Sequence, residues 1–392
     1  MKVLFIGGTG NISAACCAVA AERGMELTLL RRGQRIASIP GAARTVFVDI
    51  ADEKAVTEAL GDRKFDAVVD WIAFTPDQIE RDIRLFRGRT DQFIFISSAS
   101  VYQKPVSDYL ITESTPLANP YWQYSRDKIA CEERLIKEYR ENGFPITIVR
   151  PSHTYGDTQI TLAVNTWEKP YTVIDRMRRG KKVIVPGDGS SLWVLTHNSD
   201  FAQAFVSLLG HRQAIGHAFH ITSDEVLTWD QIYTLTARAA GVEPQLIHIP
   251  SDFLAACIPG YVGSLIGDKS ASVVFDNSKI KRFVPGYCAK VPYAEGVKKT
   301  IAWFDADAAR RVVDEEIDTQ WDKIIAAYEN GLAEAVRQIA GDKPSSPPIA
   351  ADPAASPEAA ASTAPAPSSE PPAPTIASSS GDSSATTVAP AS

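Results

Sequence analysis

The sequence predicts an α/β fold, a doubly wound parallel sheet followed by a smaller mixed part, and three observations carry that prediction. Short apolar runs alternate with helical stretches from Met1 to about Arg150. A glycine-rich turn joins the first apolar run to an Ala-rich helical stretch. Gly/Pro punctuation then breaks the alternation beyond Pro151. Apolar runs this uniform do not present one face to water, so they fit parallel strands covered by helices on both sides.

In chain order, Val3–Ile6, Glu26–Leu30, Thr45–Val48, Ala67–Ile72, Gln92–Ile96 and Pro145–Val149 read as the strands. Pro186-Gly187-Asp188-Gly189 and Pro259-Gly260 interrupt the chain beyond the last of them. A smaller mixed part over 156–312 is therefore expected to pack over the C-terminal edge of the sheet, with substrate between the two. Asp314 to Ile339 keeps helical periodicity with Gly331 as its one breaker, which predicts one or two terminal helices within 313–340. From Asp342 to Ser392 the residues are mostly Pro, Ala and Ser. Such a segment buries too little apolar surface to offset its ordering entropy, so 342–392 is expected to be a disordered tail.

Composition narrows the function class. With 45% hydrophobic and 22% charged residues the chain is of ordinary globular make-up. A net charge of −7 offers no general attraction to nucleic acid or to an anionic membrane, which leaves a small-molecule partner as the expectation. No apolar run approaches the roughly 18 residues of a membrane-crossing helix, and no basic, then apolar leader opens the chain, so a cytoplasmic protein is expected. Cys16, Cys17, Cys131, Cys257 and Cys288 form no CxxC pair and no zinc-ligand spacing. They read as reduced, buried small hydrophobes, and no metal site is expected.

The first strand, Lys2-Val3-Leu4-Phe5-Ile6, runs straight into Gly7-Gly8-Thr9-Gly10-Asn11-Ile12-Ser13. Glycines between a strand and a helix let the backbone N–H groups approach a pyrophosphate at the helix N-terminus, which is the dinucleotide site of a Rossmann-type domain. Gly7 and Gly10 take the first two glycine positions, and Ser13 stands at the third. Gly7, Gly10, Asn11 and Ile12 are the candidate cofactor-binding residues of this loop. The second strand ends on Arg31-Arg32-Gly33, where an NAD enzyme usually has an acidic residue for the ribose 2′-hydroxyl. Arginines there favour a 2′-phosphate and hence NADP, with NAD as the alternative. Asp49-Ile50, after the third strand, fits the residue pair that commonly flanks the adenine in such domains, and Ala73 fits the small residue after the fourth.

After the fifth strand comes Ser97-Ser98-Ala99-Ser100-Val101-Tyr102, and further on Tyr124-Ser125-Arg126-Asp127-Lys128. Tyr and Lys four apart share one helix face, where a cation lowers the phenol's pKa toward that of a useful base. A strand, SSxxVY and YxxxK behind a glycine loop resemble the extended short-chain dehydrogenase/reductase family, which includes nucleotide-sugar epimerases, dehydratases and reductases. The resemblance covers roughly residues 1–305. It implies residues 1–155 as an NAD(P)-binding domain that also receives about 195–222. It also implies Ser98, Tyr124 and Lys128 as catalytic residues, with Ser98 and Tyr124 touching substrate and Lys128 also holding the cofactor ribose. Arg150-Pro151-Ser152-His153-Thr154-Tyr155-Gly156 matches the family's stretch after strand six, which makes Pro151 a cofactor contact and His153 a substrate contact. The family's habit of pairing through two helices implies a homodimer, through the helices that contain Gln78–Leu85 and Tyr124–Tyr139.

The departures are as informative as the matches. Ala99 and Ser100 stand where the family's dehydratases carry an acid pair, which argues against dehydration. Trp193 and Leu265 stand where its sugar-nucleotide enzymes place two arginines on the pyrophosphate, and Asp70 where many members have His. These features are similar to an atypical branch that includes chloroplast stem-loop-binding proteins. The expected function is an NAD(P)-dependent oxidoreductase or epimerase acting on a secondary alcohol or ketone of a sugar-like or other small substrate. The alternative is a non-catalytic dinucleotide-sensing or RNA-binding protein on the same fold. Without the two arginines a diphosphate is costly to bury, so a smaller or less anionic substrate is expected, with Trp193 available to stack on its ring. The competing expectation is that Arg176, Arg178, Arg179, Lys181 and Lys182 supply the missing cations.

Overall fold

Val3, Leu4, Phe5 and Ile6 of β1 (Lys2–Ile6) are wholly buried, as a central two-faced strand requires. Six further strands join it: β2 (Glu26–Arg31), β3 (Arg44–Phe47), β4 (Ala67–Asp70), β5 (Phe93–Ile96), β6 (Ile146–Pro151) and β7 (Ala218–Ile221). The computed structural model describes residues 1–33 and 43–340. It places the seven strands in the order β7-β6-β5-β4-β1-β2-β3, all parallel. The order reverses between β1 and β4, and that switch point opens a crevice at the C-terminal ends of the strands.

Alternation along β1 sends Val3 and Phe5 to one face and Leu4 and Ile6 to the other. The first face is covered by α1 (Asn11–Glu22) and, much later in the chain, α6 (Asn198–Leu208). Cys16, Cys17 and Ala20 of α1 are small enough for Phe201 and Phe205 of α6 to pack into the same core. The second face is covered by α2 (Glu53–Leu60), α3 (Pro76–Phe86) and α4 (Gln123–Asn142), through Val56, Ile79, Ile83, Phe86 and Leu135. Local signals set the helix ends. Asp52 accepts the N–H of Ala55 ahead of α2, Thr75 and Gln78 form a capping box with Pro76 at the start of α3, and Gly143 ends α4 in the left-handed region.

A third core of aromatic residues, among them Trp193, Trp229, Tyr233 and Tyr293, lies on the substrate side. Around it stand α5 (Tyr171–Arg178), α7 (Trp229–Ala239) and a π-helix over Val262–Lys269. A single terminal helix, Glu315–Ala340, runs through Gly331. Met1–Ala335 form one compact unit, and a second begins at Val336.

Several boundaries differ from the expected ones for physical reasons. The fourth strand ends at Asp70 rather than residue 72, because the Asp70 carboxylate captures the N–H groups of Ile72 (2.6 Å) and Ala73 (2.7 Å) and turns the chain out of the sheet. The sixth runs on to Pro151 because β7 continues to pair with it, Ile221 opposite Pro151. Of the cysteines, Cys16, Cys17 and Cys131 are buried as expected, but Cys257 and Cys288 are exposed. The tail expected over 342–392 lies outside the described residues. Among the described residues no helix is long and apolar enough to cross a membrane, and no cluster of side chains could hold a metal ion.

Candidate active site

The loop after β1 is shaped by its glycines. Gly7 and Gly8 both have φ of 100°, and a Cβ on Gly7 would meet Ile72 Cγ2 at 3.1 Å, one on Gly8 Leu29 Cδ2 at 3.0 Å. Only glycine fits here without strain. The Gly10 N–H donates to Ser13 Oγ at 2.9 Å, so the serine at the third glycine position closes the first turn of α1. Asn11 ties this turn to the rest of the site, donating from Nδ2 to the Thr154 carbonyl at 3.2 Å and accepting from Asn198 Nδ2 at 3.0 Å. A loop with Thr9 as its one side chain, opening on a twelve-residue helix, fits a dinucleotide pyrophosphate. Along the same strand edge, the Arg31 guanidinium lies over the Phe47 ring, 5.3 Å from its centroid. Arg32 is 3.8 Å from Asp49 in an exposed pair, Asp49 also accepts the Ala51 N–H at 3.0 Å, and Ile50 and Ala73 are buried behind them. Gly7, Gly10, Asn11, Ile12, Arg31, Arg32, Asp49, Ile50 and Ala73 thus all follow the C-terminal ends of β1 to β4.

Ser98 follows β5 and caps a short 3₁₀ turn, Ala99–Val101. Its Oγ accepts the Ser100 N–H at 3.2 Å and lies 2.9 Å from Ser100 Oγ, which in turn accepts from Ser125 Oγ at 2.8 Å. Tyr124 stands in the first turn of α4, and Lys128 one turn on is buried, with its ammonium donating to the carbonyls of Ala73 (2.7 Å) and Ile96 (2.8 Å). It lies 5.8 Å from the centroid of the Tyr124 ring and 4.5 Å from that of Phe74. Burial draws the Lys128 pKa down to about 8, against the opposing pull of Asp70. Burial likewise pushes the Tyr124 phenol up; the Ser98 hydroxyl opposes this, and Asp268 adds to it. Asp70 itself is held from beneath by Arg81, 3.5 Å away, which also bonds Asp82. Burial and the neighbouring Asp70 charge hold the Asp82 carboxyl well above the usual range.

A cavity of ≈ 280 Å³ lies between these groups and the substrate side, and Ser98, Tyr124, Pro151, His153 and Trp193 all line it. Lys128 does not line it, and reaches the site through the Tyr124 ring beside it. Trp193 donates its indole N–H to His153 Nδ1 at 3.1 Å, and its ring stacks on Trp229 at 5.3 Å and 27°. Trp193 is therefore a fixed wall, already stacked within the protein. Because an indole can only donate, His153 Nδ1 is the acceptor and its proton sits on Nε2. Burial, with Lys269 nearby, keeps this imidazole neutral.

Leu265 does not face the cavity; it is wholly buried in the aromatic core. The two residues that do are Asp268 and Lys269, at the end of the π-helix. The sequence reading missed them, together with Trp122 and Trp167, because a π-helix closes its turns one residue wider than an α-helix and moves the inward face along the chain. The only sequence signal was the pair of glycines, Gly263 and Gly267. A Cβ on Gly263 would meet Trp122 at 2.4 Å, and this close approach brings the segment to the cavity. The cations near the Gly187 turn do not supply a phosphate site. Arg176, Arg179 and Lys181 all bond Asp318 of the terminal helix, Arg178 bonds Asp305, and Lys182 bonds Glu329.

Comparison with known proteins identifies the family and the fold. The model of the NAD dependent epimerase/dehydratase family matches residues 3–222. The chain is 27% identical over 269 residues to the chloroplast stem-loop binding protein of 41 kDa b of Arabidopsis thaliana, covering 64% of this chain and 67% of that protein. It is 24% identical over 292 residues to 2'-dehydrokanamycin reductase of Streptomyces kanamyceticus, covering 73% and 80%. The UDP-glucuronic acid 4-epimerase of Bacillus cereus, solved in complex with NAD, superposes with a TM-score of 0.62 at 16% identity over 78% of this chain and 99% of that one, which shows the shared fold. The match spans more than half of the sequence, from the first strand to the last strand of the sheet, and on that ground this chain belongs to the NAD-dependent epimerase/dehydratase family.

Proposed function

We propose that this protein is an NAD(P)-dependent oxidoreductase or epimerase acting on a secondary alcohol or ketone of a small, sugar-like substrate. The observation that carries the reading is the meeting of Ser98 and Tyr124 on one cavity, with Lys128 beside the Tyr124 ring and the glycine loop on the same strand edge. When bound, the nicotinamide supplies or takes the hydride. Tyr124 handles the proton. In reduction its phenol, kept neutral by burial, gives its proton to the oxygen that becomes an alcohol; in oxidation it takes that proton back. Ser98 already accepts from the Ser100 N–H, and its own O–H is the donor that orients the reacting oxygen. Lys128, held by two carbonyls, stabilises the phenolate and reaches the ribose. Gly7, Gly10, Asn11 and Ile12 hold the pyrophosphate, Asp49, Ile50, Ala73 and Pro151 flank the rest of the cofactor, and His153 and Trp193 bound the substrate. Arg31 and Arg32 favour NADP over NAD. In this reading residues 1–155 and 195–222 carry the cofactor and 156–312 the substrate, in a cytoplasmic homodimer paired through α3 and α4.

Substituting Tyr124→Phe tests the assignment. Turnover across a panel of sugars, glycosides and ring ketones, read by nicotinamide absorbance, should fall roughly 10²–10⁴-fold while cofactor affinity stays within a few fold. Near-full activity in that variant would remove Tyr124 from the chemistry. The likeness to the stem-loop binding protein favours a second reading, a dinucleotide-sensing or RNA-binding protein. That reading predicts that Tyr124→Phe leaves function unchanged and that RNA binds at physiological salt despite the net charge of −7.

A further inference from the structure

The cavity contains one built feature that the hydride chemistry does not use, the ion pair Asp268–Lys269, with Lys269 Nζ 2.8 Å from Asp268 Oδ2. The Lys269 side chain is 5% exposed and that of Asp268 17%. Burying two charges costs several kcal/mol each unless they are paired and hydrogen-bonded. Their backbone is fixed from three directions. Trp229 Nε1 donates to the Lys269 carbonyl at 3.0 Å, buried Lys104 donates to the Asp268 carbonyl at 3.1 Å, and Asn119 Nδ2 bridges the carbonyls of Gly267 (2.7 Å) and Ser100 (2.8 Å). The Asn119 bridge ties the pair to the same turn that presents Ser98.

Both residues line the cavity, and the pair keeps hydrogen-bonding capacity that its own contact does not use. An ammonium has three donors, and Lys269 uses one of them among the described residues. Asp268 Oδ1 meets no donor among the described residues, and His153 Nε2–H, fixed by the Trp193 bond, meets no acceptor among them. The cavity therefore offers an acceptor that cannot donate beside donors that cannot accept. A hydroxyl satisfies both kinds, giving its proton to Asp268 and accepting from Lys269 or His153. A phosphate oxygen can only accept, and its charge would be set against the Asp268 carboxylate, while Lys269 is already neutralised by its partner. Trp122 and Trp167 add apolar ring faces, the surface that the C–H side of a sugar needs. At ≈ 280 Å³ the cavity is at the small end of ligand pockets, which run from about 300 to 1,000 Å³.

We infer that Asp268 and Lys269 are the specificity-determining residues of this site, and that they select an uncharged polyhydroxylated ring, a free sugar or glycoside, over a sugar nucleotide. The inference rests on the enzyme reading above and goes further by naming the substrate class. The test uses the full chain loaded with NADP⁺, a panel of free hexoses and methyl glycosides, and UDP-glucose and dTDP-glucose as the charged probes. Neutral rings should be oxidised and the two nucleotides should not bind at millimolar concentration. Asp268→Asn and Lys269→Met should each lower kcat/KM for the neutral ring by about 100-fold or more, because a site built to pair with a hydroxyl loses at least that much when the pairing is broken. NADPH affinity should stay within a few fold, which also certifies folding; if either single variant fails this check, the charge-neutral double variant Asp268→Asn/Lys269→Met replaces it. Micromolar binding of either nucleotide, failure of every neutral ring, or unchanged kcat/KM in the variants would overturn the inference. Tyr124-dependent turnover of a sugar nucleotide would overturn it and leave the enzyme reading standing, whereas a wild-type protein that binds no NADP(H) or NAD(H) would remove both.

Discussion

At the cofactor end of the crevice the loop Gly7–Ile12 takes its shape from two elements that adjoin it in sequence, whereas at the substrate end His153, Trp193 and Asp268–Lys269 converge from three distant segments. The first end is built by backbone conformation, with Gly7 and Gly8 both at positive φ. The second is built by side chains whose positions depend on how a terminal helix, a π-helix and an aromatic core pack. A site of the first kind keeps one ligand class across many relatives. One of the second kind changes with the packing of distant segments, and this chain's Trp193, at a position where the resembled family has arginine, stands there.

The largest effect should come from the anchor of the substrate end. Asp318 accepts from Arg176, Arg179 and Lys181, and although burial works against ionisation these hydrogen bonds bring its pKa down to about 2. Asp318→Ala leaves the buried Arg176 with Asp322 as its one carboxylate partner among the described residues and should cost roughly 3 kcal/mol in urea unfolding, the low end for a broken buried pair because Arg179 and Lys181 are partly exposed. Because the folded pKa is depressed, the stabilisation is present above the unfolded value of about 3.9 and is lost as pH falls through about 2. NADPH affinity measured at neutral pH, where the variant remains folded, should not change. A parallel loss of cofactor affinity would show that the two ends are not independent.

Next is Gly7→Val at the cofactor end. The φ of 100° strains any other residue by about 1–3 kcal/mol, and the new Cβ would meet Ile72 at 3.1 Å. Cofactor affinity should fall about 10- to 100-fold by fluorescence titration, and an unchanged value would show that the loop is not the pyrophosphate site.

The same contrast explains what the sequence revealed. The sheet was legible because β5 is an unbroken apolar run and β1 and β4 depart from one only at a terminal residue, and the glycine turn and the Tyr124–Lys128 pair were legible because their geometry is set within one helical turn. Strand ends were less so: the stop at Asp70 depends on one carboxylate capturing two N–H groups. Asp268 and Lys269 could not be found, because their neighbours Trp229, Lys104 and Asn119 are remote in sequence. Trp193 was identified as a lining residue, but its partner Trp229 was not, so its open face was overestimated.

A smaller effect should distinguish the two cofactors. Arg31 lies over Phe47 and Arg32 pairs with Asp49, both at the end of β2, where the proposed reading puts the 2′-phosphate of NADP. Arg31→Asp should weaken NADPH about tenfold and leave NADH nearly unchanged, on the scale of one charge-assisted hydrogen bond. Equal binding of both cofactors to the wild type would contradict the preference.

The smallest effect is a pH dependence that ties the two ends together through Lys128. Burial lowers its pKa to about 8 from the ordinary 10.5, and Asp70 limits the fall. In the proposed mechanism the protonated form is the one that stabilises the Tyr124 phenolate, so kcat/KM in the direction that needs this base should be halved near pH 8 and fall about tenfold per further unit. Stability should move the other way. Between about pH 8 and 10.5 the unfolded chain binds a proton at this residue that the folded chain does not, so the contribution of Lys128 to folding improves as pH rises through that window. Lys128→Met removes both dependences, and comparing its unfolding free energy with that of the wild type at pH 7 and pH 10 isolates the second. Asp70→Asn removes the opposing charge and should shift the alkaline limb of the rate profile to lower pH. A limb that does not move would mean that Lys128 is tuned by its carbonyl partners on Ala73 and Ile96 and not by the carboxylate behind them.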